Sequence, residues 1–153
     1  MAELKARLRR DLTIAMKARD ALRASTLRMA LSAVTTAEVS GKQARELDDD
    51  EVTRVLVSEA KKRREAAEAF TGAGRTELAD KERAEAEVLA DYLPRRLTQE
   101  ELVALVTAAV QEAGAGGKGM QAMGSVMAAL RPQVSGRADG AAVAAEVRRQ
   151  ISA

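Results

Sequence analysis

The carboxylates, hydroxyls and basic groups of this chain are plentiful, but none is spaced as a catalytic set. There is no His and no Cys, so thiol nucleophiles, Ser-His-Asp and Cys-His arrangements, disulfides and the common zinc sites are excluded together. The run Asp48-Asp49-Asp50-Glu51 invites a metal-site reading. Acids in the first turn of a helix, however, favour its dipole and cap its open amides, and capping is the expectation. Glu77, Asp80, Glu82, Glu85, Glu87 and Asp91 could pair for acid–base work. Nothing supplies a burying pocket or a second catalytic group, so they read as a charged helix surface. Ser25 and Thr26 fall mid-helix with no base to activate a hydroxyl. No catalytic residue, metal site or cofactor is expected.

Basic groups offer a different chemistry, the neutralisation of phosphates. Lys61-Lys62-Arg63-Arg64 points around the whole helix axis and reads as a solvated surface laced with pairs four residues apart, Glu59–Arg63, Lys61–Glu65 and Arg64–Glu68. The first 37 residues are more suggestive, with eight basic groups against Glu3, Asp11 and Asp20. The loop Gly114-Ala115-Gly116-Gly117-Lys118-Gly119 resembles a phosphate cradle, although a Walker-type loop would need Gly at 112, Ser or Thr after the lysine and a preceding strand. It reads first as a flexible connection whose open amides beside Lys118 could hold an RNA phosphate. Lys118, Arg131 at a predicted helix end and Arg137 in the following turn are the candidate RNA contacts. With only Phe70 and Tyr92 as aromatics, stacking platforms for single-stranded bases are lacking, and binding would act through shape and phosphates.

The elements that carry these groups are helical. Apolar residues recur at helical spacing along Leu4–Met16, Leu27–Ala37, Val52–Phe70, Leu78–Leu93, Leu102–Val110, Met120–Leu130 and Val143–Ile151. Breaks are expected near Asp20, at Gly41, at Gly72 and Gly74, before Pro94, in the glycine-rich loop, and at Pro132 through Gly136. Thr98 with Glu101 forms a capping box, and Asp139 before Gly140 is placed to cap the last helix. Gly124 costs roughly 1 kcal/mol against alanine inside a helix and predicts a close backbone approach. Composition shifts near Pro94: residues 1–94 hold 18 basic and 18 acidic groups, whereas 95–153 hold 7 and 5 with most of the glycines. The expected architecture is all-α, an N-terminal helical hairpin or bundle over residues 1–94 followed by a small three-helix domain over 95–153. No stretch approaches the roughly 20 apolar residues of a membrane span. Arg9-Arg10 is followed by charge where an export signal needs an apolar region, so a cytoplasmic protein is expected.

Several short motifs occur in a characteristic order: Arg23 to Met29 (RASTLRM), Glu59 to Arg64, Phe70 with Gly74-Arg75, and Glu85 to Pro94 ending in Tyr-Leu-Pro. They are followed by the MGSVM of 123–127 and the GRADG of 136–140. In these residues, and with Pro94, Gly124, Gly136, Asp139 and Gly140 as its structural motif positions, the chain resembles the YqeY-like family over nearly its whole length. The C-terminal part of that family is similar to the tail of the B subunit of the glutamine-dependent amidotransferase acting on mischarged Glu-tRNA(Gln) and Asp-tRNA(Asn).

In that enzyme the tail helps hold transfer RNA, while amide hydrolysis and transfer belong to other domains. The resemblance therefore implies a non-catalytic accessory module that binds transfer RNA by shape and phosphate contacts. The family association with carbon–nitrogen ligase activity would need other subunits here. Where the family usually has Asp and Lys, this chain has Ala122 and Ser125, so a basic contact at 125 is missing. The competing expectation is a helical adaptor that docks a translation-related or metabolic protein partner.

Overall fold

Helix after helix follows from a core built of Ala, Leu, Val and Met, residues whose side chains suit close helix packing better than a pleated sheet. The computed structural model describes residues 1–114, 116 and 118–152. Among them there are seven α-helices and no strand. They are α1 (Glu3–Lys17), α2 (Ala21–Glu38), α3 (Asp49–Gly72), α4 (Thr76–Ala90), α5 (Gln99–Glu112), α6 (Met123–Val134) and α7 (Gly140–Ile151), with a short 3₁₀ turn, Gly119–Ala122, before α6. The chain divides into two compact units, Met1–Leu93 and Pro94–Ala153.

Local chemistry sets the helix ends. Asp48 accepts from the Glu51 backbone N–H at 2.8 Å, and Glu51 in turn accepts from the Asp48 N–H at 3.3 Å. The acidic run is thus a reciprocal cap on α3. Thr98 and Glu101 do the same for α5. Helix α3 closes with Gly74 at φ +73°, its N–H bonded to the Thr71 carbonyl and the Arg75 N–H reaching back to Phe70. This is the paired closure that normally requires glycine at its left-handed residue. Helix α2 ends at Glu38, three residues short of Gly41.

The first unit buries Leu8 of α1, Leu27, Ala30 and Val34 of α2, Val52, Leu56 and Ala60 of α3, and Val88 and Leu89 of α4 around one core. The expectation of a wholly solvated basic patch at 61–64 fails at one residue. Arg63 is only 5% exposed and so is Glu85 of α4, with Arg63 Nε 3.3 Å from the Glu85 carboxylate. Arg63 also donates to the Glu59 carboxylate at 3.0 Å and to the Glu59 carbonyl at 2.9 Å. In α3 the buried positions run Val52, Leu56, Ala60, Arg63, Ala67, so the arginine falls on the apolar stripe itself. Two buried charges are tolerable only because each partners the other. Lys61 and Lys62 are exposed as expected, pairing with Glu65 at 3.9 Å and Glu59 at 3.7 Å.

The second unit is a three-helix arrangement in which Leu102, Val106 and Val110 of α5 meet Val126 and Leu130 of α6 and Val143, Val147 and Ile151 of α7. Pro132 lies inside α6, which continues to Val134 instead of stopping at the proline. A proline's fixed φ is compatible with helix, and what Pro132 withholds is the single donor that would have met the Ala128 carbonyl one turn back.

Candidate nucleic-acid interface

The residues expected to contact RNA all lie in the second unit, and their surroundings are set by the turn between α6 and α7. Gly136 takes φ +74°, reversing the chain directly after α6. The N–H groups of Arg137 and Ala138 both bond the Val134 carbonyl, at 2.9 and 3.1 Å. The same turn is strapped to the segment after Pro94. The Leu97 N–H donates to the Arg137 carbonyl at 2.8 Å, and Arg137 Nε donates to the Arg95 carbonyl at 3.0 Å. Arg137 is thus half-buried, with its Nε engaged in holding the fold and no ion pair on its charge among the described residues.

Asp139 stands before α7 with extended backbone, φ −72° and ψ 137°, and its carbonyl accepts from the Val143 N–H at 3.1 Å. Its side chain makes no capping bond to the first turn. The carboxylate lies 3.5 Å from the Arg96 guanidinium instead. The expected cap is therefore right in position and different in means: the acid acts on the helix as a nearby charge. Gly124 is also corrected. It is the second residue of α6, exposed, and a Cβ there would meet nothing within 4 Å, so no close backbone approach accounts for it. Gly140, the first residue of α7, is equally open.

Arg131 lies in the last turn of α6 and lines a cavity of about 350 Å³ with Met127, Val134, Gly136, Gly140 and Val143. The MGSVM and GRADG motifs thus meet around one hollow, with an exposed arginine at its edge. Lys118 is exposed just ahead of the 3₁₀ turn and is not among the residues lining that hollow. The structure places Arg131 in the hollow beside Gly136 and Ala138, the two neighbours of Arg137, whereas neither Arg137 nor Lys118 lines it. Of the loop that contains Lys118, Ala115 and Gly117 lie outside the described residues.

The remaining basic groups are largely committed. Arg95 grips Glu101 through two bonds of 2.8 and 2.7 Å, and Arg149 grips Glu146 at 2.6 Å. Hydrogen bonding from Arg95, with the Thr98 amide, holds the Glu101 carboxyl at about 2, and hydrogen bonds from Arg149 and Gln150 lower that of Glu146. Lys118, Arg131 and Arg148 make no ion pair among the described residues. No group of three or more acidic residues among those described could hold a metal ion, and no described helix is long and apolar enough to cross a membrane.

Sequence reasoning missed a polar cluster in the first unit that uses the same motifs. Arg23 of RASTLRM lies 3.3 Å from the Asp91 carboxylate, and the Tyr92 hydroxyl donates to Asp11 at 2.6 Å beneath the Arg7 guanidinium, 4.5 Å from the ring centre. Thr26, fully buried, donates to the Leu22 carbonyl at 2.8 Å, and Met29 sulfur lies 3.9 Å from Arg63. Arg23 and Thr26 are thus engaged within the first unit, and Met29 touches it through its sulfur. The signal available in sequence was Asp91 beside Tyr92, which alone does not say which partner the hydroxyl meets.

Comparison with known proteins agrees with the motif order. A family model described as Yqey-like protein matches residues 5–151. An uncharacterised protein of Schizosaccharomyces pombe is 40% identical over 91 residues, 60% of this chain and 72% of that protein. With the match running through both compact units, the chain belongs to the YqeY-like family.

Proposed function

We propose that this protein is a non-catalytic accessory module that contacts transfer RNA in the cytoplasm through the phosphate backbone, using the second unit. The observation that carries the reading is the distribution of cations there. Arg95, Arg96 and Arg149 are held by Glu101, Asp139 and Glu146, whereas Arg131 and Lys118 are exposed with no acidic partner among the described residues. The kinship of this unit with an amidotransferase tail, implied by the motifs at 123–127 and 136–140, supports transfer RNA as the class. The absence of His and Cys from the sequence removes the nucleophile that generates ammonia from glutamine in cysteine-based amidotransfer. On this reading, any link to carbon–nitrogen ligation runs through a partner.

The test is transfer-RNA affinity across a salt series. Each phosphate contact releases about 0.7 to 0.9 counterions, so replacing Lys118 and Arg131 by Ala should flatten the slope of log affinity against log salt by about 1.4 to 1.8 units. Arg137→Ala is measured separately with a melting curve, because that side chain also straps the turn. Lys61 and Lys62, exposed in the first unit, serve as the control pair. Equal slopes for the parent and the double variant would move the site elsewhere. No binding by the parent at low salt would favour the protein-adaptor reading.

A further inference from the structure

Helix α1 closes the same way as α3, but with the wrong residue for the geometry. Its last turn ends at Ala18, the Arg19 N–H bonds the Met16 carbonyl at 3.2 Å, and the Asp20 N–H reaches back to Ala15 at 2.9 Å. This is the pattern that Gly74 completes after α3. Here the left-handed position, φ +58°, is held by Arg19, the one non-glycine residue with positive φ among those described. Glycine adopts that conformation without steric cost and a side chain does not. A strained residue in an otherwise ordinary turn points to a use for its side chain.

The side chain stands at a cleft of about 520 Å³ between the end of α1 and the start of α2, lined by Met16, Arg19, Ala24, Ser25 and Arg28. The apolar part of this surface is open to solvent: Met16 is 51% exposed, Leu22 37% and Met29 48%. Leu22, Ser25 and Met29 are three and four residues apart, so they form one stripe of α2 beside the cleft. The rim is positive. Neither Arg19 nor Arg28 has an ion-pair partner among the described residues, and the Asp20 carboxylate is occupied in accepting the Arg23 backbone N–H at 3.1 Å.

We propose that the α1–α2 elbow docks an acidic amphipathic helix of a partner protein, its apolar face on Met16, Leu22 and Met29 and its carboxylates against Arg19 and Arg28. The methionines suit a surface that must repack against a helix, and the apolar floor favours a protein helix over nucleic acid. This inference stands apart from the RNA reading, which concerns the second unit.

The probe is a fluorescein-labelled synthetic helical peptide with Leu at positions i, i+3, i+4 and i+7 and Glu flanking them; a second peptide carries Lys in place of Glu. Fluorescence anisotropy with the full chain should show binding of the Glu peptide that weakens with salt, and weaker binding of the Lys peptide. R19G and R28S should each weaken the Glu peptide by about 2- to 5-fold, and M16S with M29S by about 10-fold or more. I14S, two residues from Met16 and so on the opposite side of α1, should leave it unchanged. R19G should melt at or above the parent's temperature, because glycine relieves the left-handed strain. The proposal is overturned if the Glu peptide does not bind, if the Lys peptide binds as well, or if R19G leaves affinity unchanged. It is also overturned if R19G melts several degrees lower, which would make the arginine structural, or if the elbow variants weaken transfer-RNA binding in its place.

Discussion

The Tyr92 hydroxyl donates to an Asp11 carboxylate oxygen at 2.6 Å across 81 residues of sequence, fixing the end of α4 against α1. Burial, and then the bond to Asp11, push the phenol up from 10.0 to about 12. The protonated form is the one the fold favours. The stability it brings is therefore full below pH 10 and is lost as pH rises towards 12. Because Tyr92 is the only tyrosine and there is no tryptophan, tyrosinate absorbance reports this site alone. Its midpoint should lie near 12, and Asp11→Asn should bring it back towards 10 without reaching it, since burial persists. Tyr92→Phe should cost about 1.5 to 3 kcal/mol in urea unfolding, the loss of a hydrogen bond to a charged group.

Arg63→Met should be among the most damaging single changes in the first unit, about 3 to 5 kcal/mol, because it leaves Glu85 buried without its partner. Adding Glu85→Leu should restore most of that loss. Urea unfolding at constant m-value is the measurement, and a double variant as unstable as the single would show that the pair does more than cancel its own charges.

Asp139→Ala should destabilise the protein by about 0.3 to 1 kcal/mol, the scale of a charge near a helix N-terminus, and not by the larger loss of a hydrogen-bonded cap. A drop well above that range in thermal melts would show that the carboxylate caps α7 in solution.

Both units should soften in one acid window. Hydrogen bonding from Arg45, with the Asp48 amide, holds Glu51 at about 2, and Arg95 holds Glu101 there as well. A carboxylate depressed in the fold contributes stability above its unfolded value of 4.5, and that contribution is lost as pH falls towards 2. Melting temperature measured across that range should fall less steeply for Glu51→Gln and Glu101→Gln than for the parent.

Limited proteolysis should cut first within about ten residues of Pro94 and leave a fragment that keeps its helical spectrum. Early cuts confined to other loops, with no helical fragment, would mean that the two compact units unfold together.

The helices were legible because their ends are written locally: Asp48 and Glu51, Thr98 and Glu101, and Gly74 each act within one turn of chain. The apolar stripe of α3 also had a gap between Ala60 and Ala67, and Arg63 fills it at the right spacing. Its burial was hidden because residue type argues for solvent, and the facing Glu85, 22 positions on in the sequence, joins the local Glu59 in making the interior tolerable. The site was less legible for a related reason. Lys118, Arg131 and Arg137 look alike as cations, and the difference between them is made by one carbonyl of the segment after Pro94, that of Arg95, which accepts from Arg137. Gly124 misled because its place, second in α6, depends on where the 3₁₀ turn ends.

The strap from Arg137 to Arg95 spans 42 positions, and this sets an order of events on the ribosome. The segment at 95–97 emerges early, and although Arg95 can meet Glu101 locally, the Arg95 carbonyl and the Leu97 N–H wait until the turn at 136–138 has been synthesised. The first unit can complete its core while the second is still being made, whereas the second gains its closing bonds only when almost its whole length is available. Its folding is thus a late, nearly all-or-none step, and a ribosome stalled before residue 137 but after Tyr92 has cleared the exit tunnel would carry a finished first unit with an open second one.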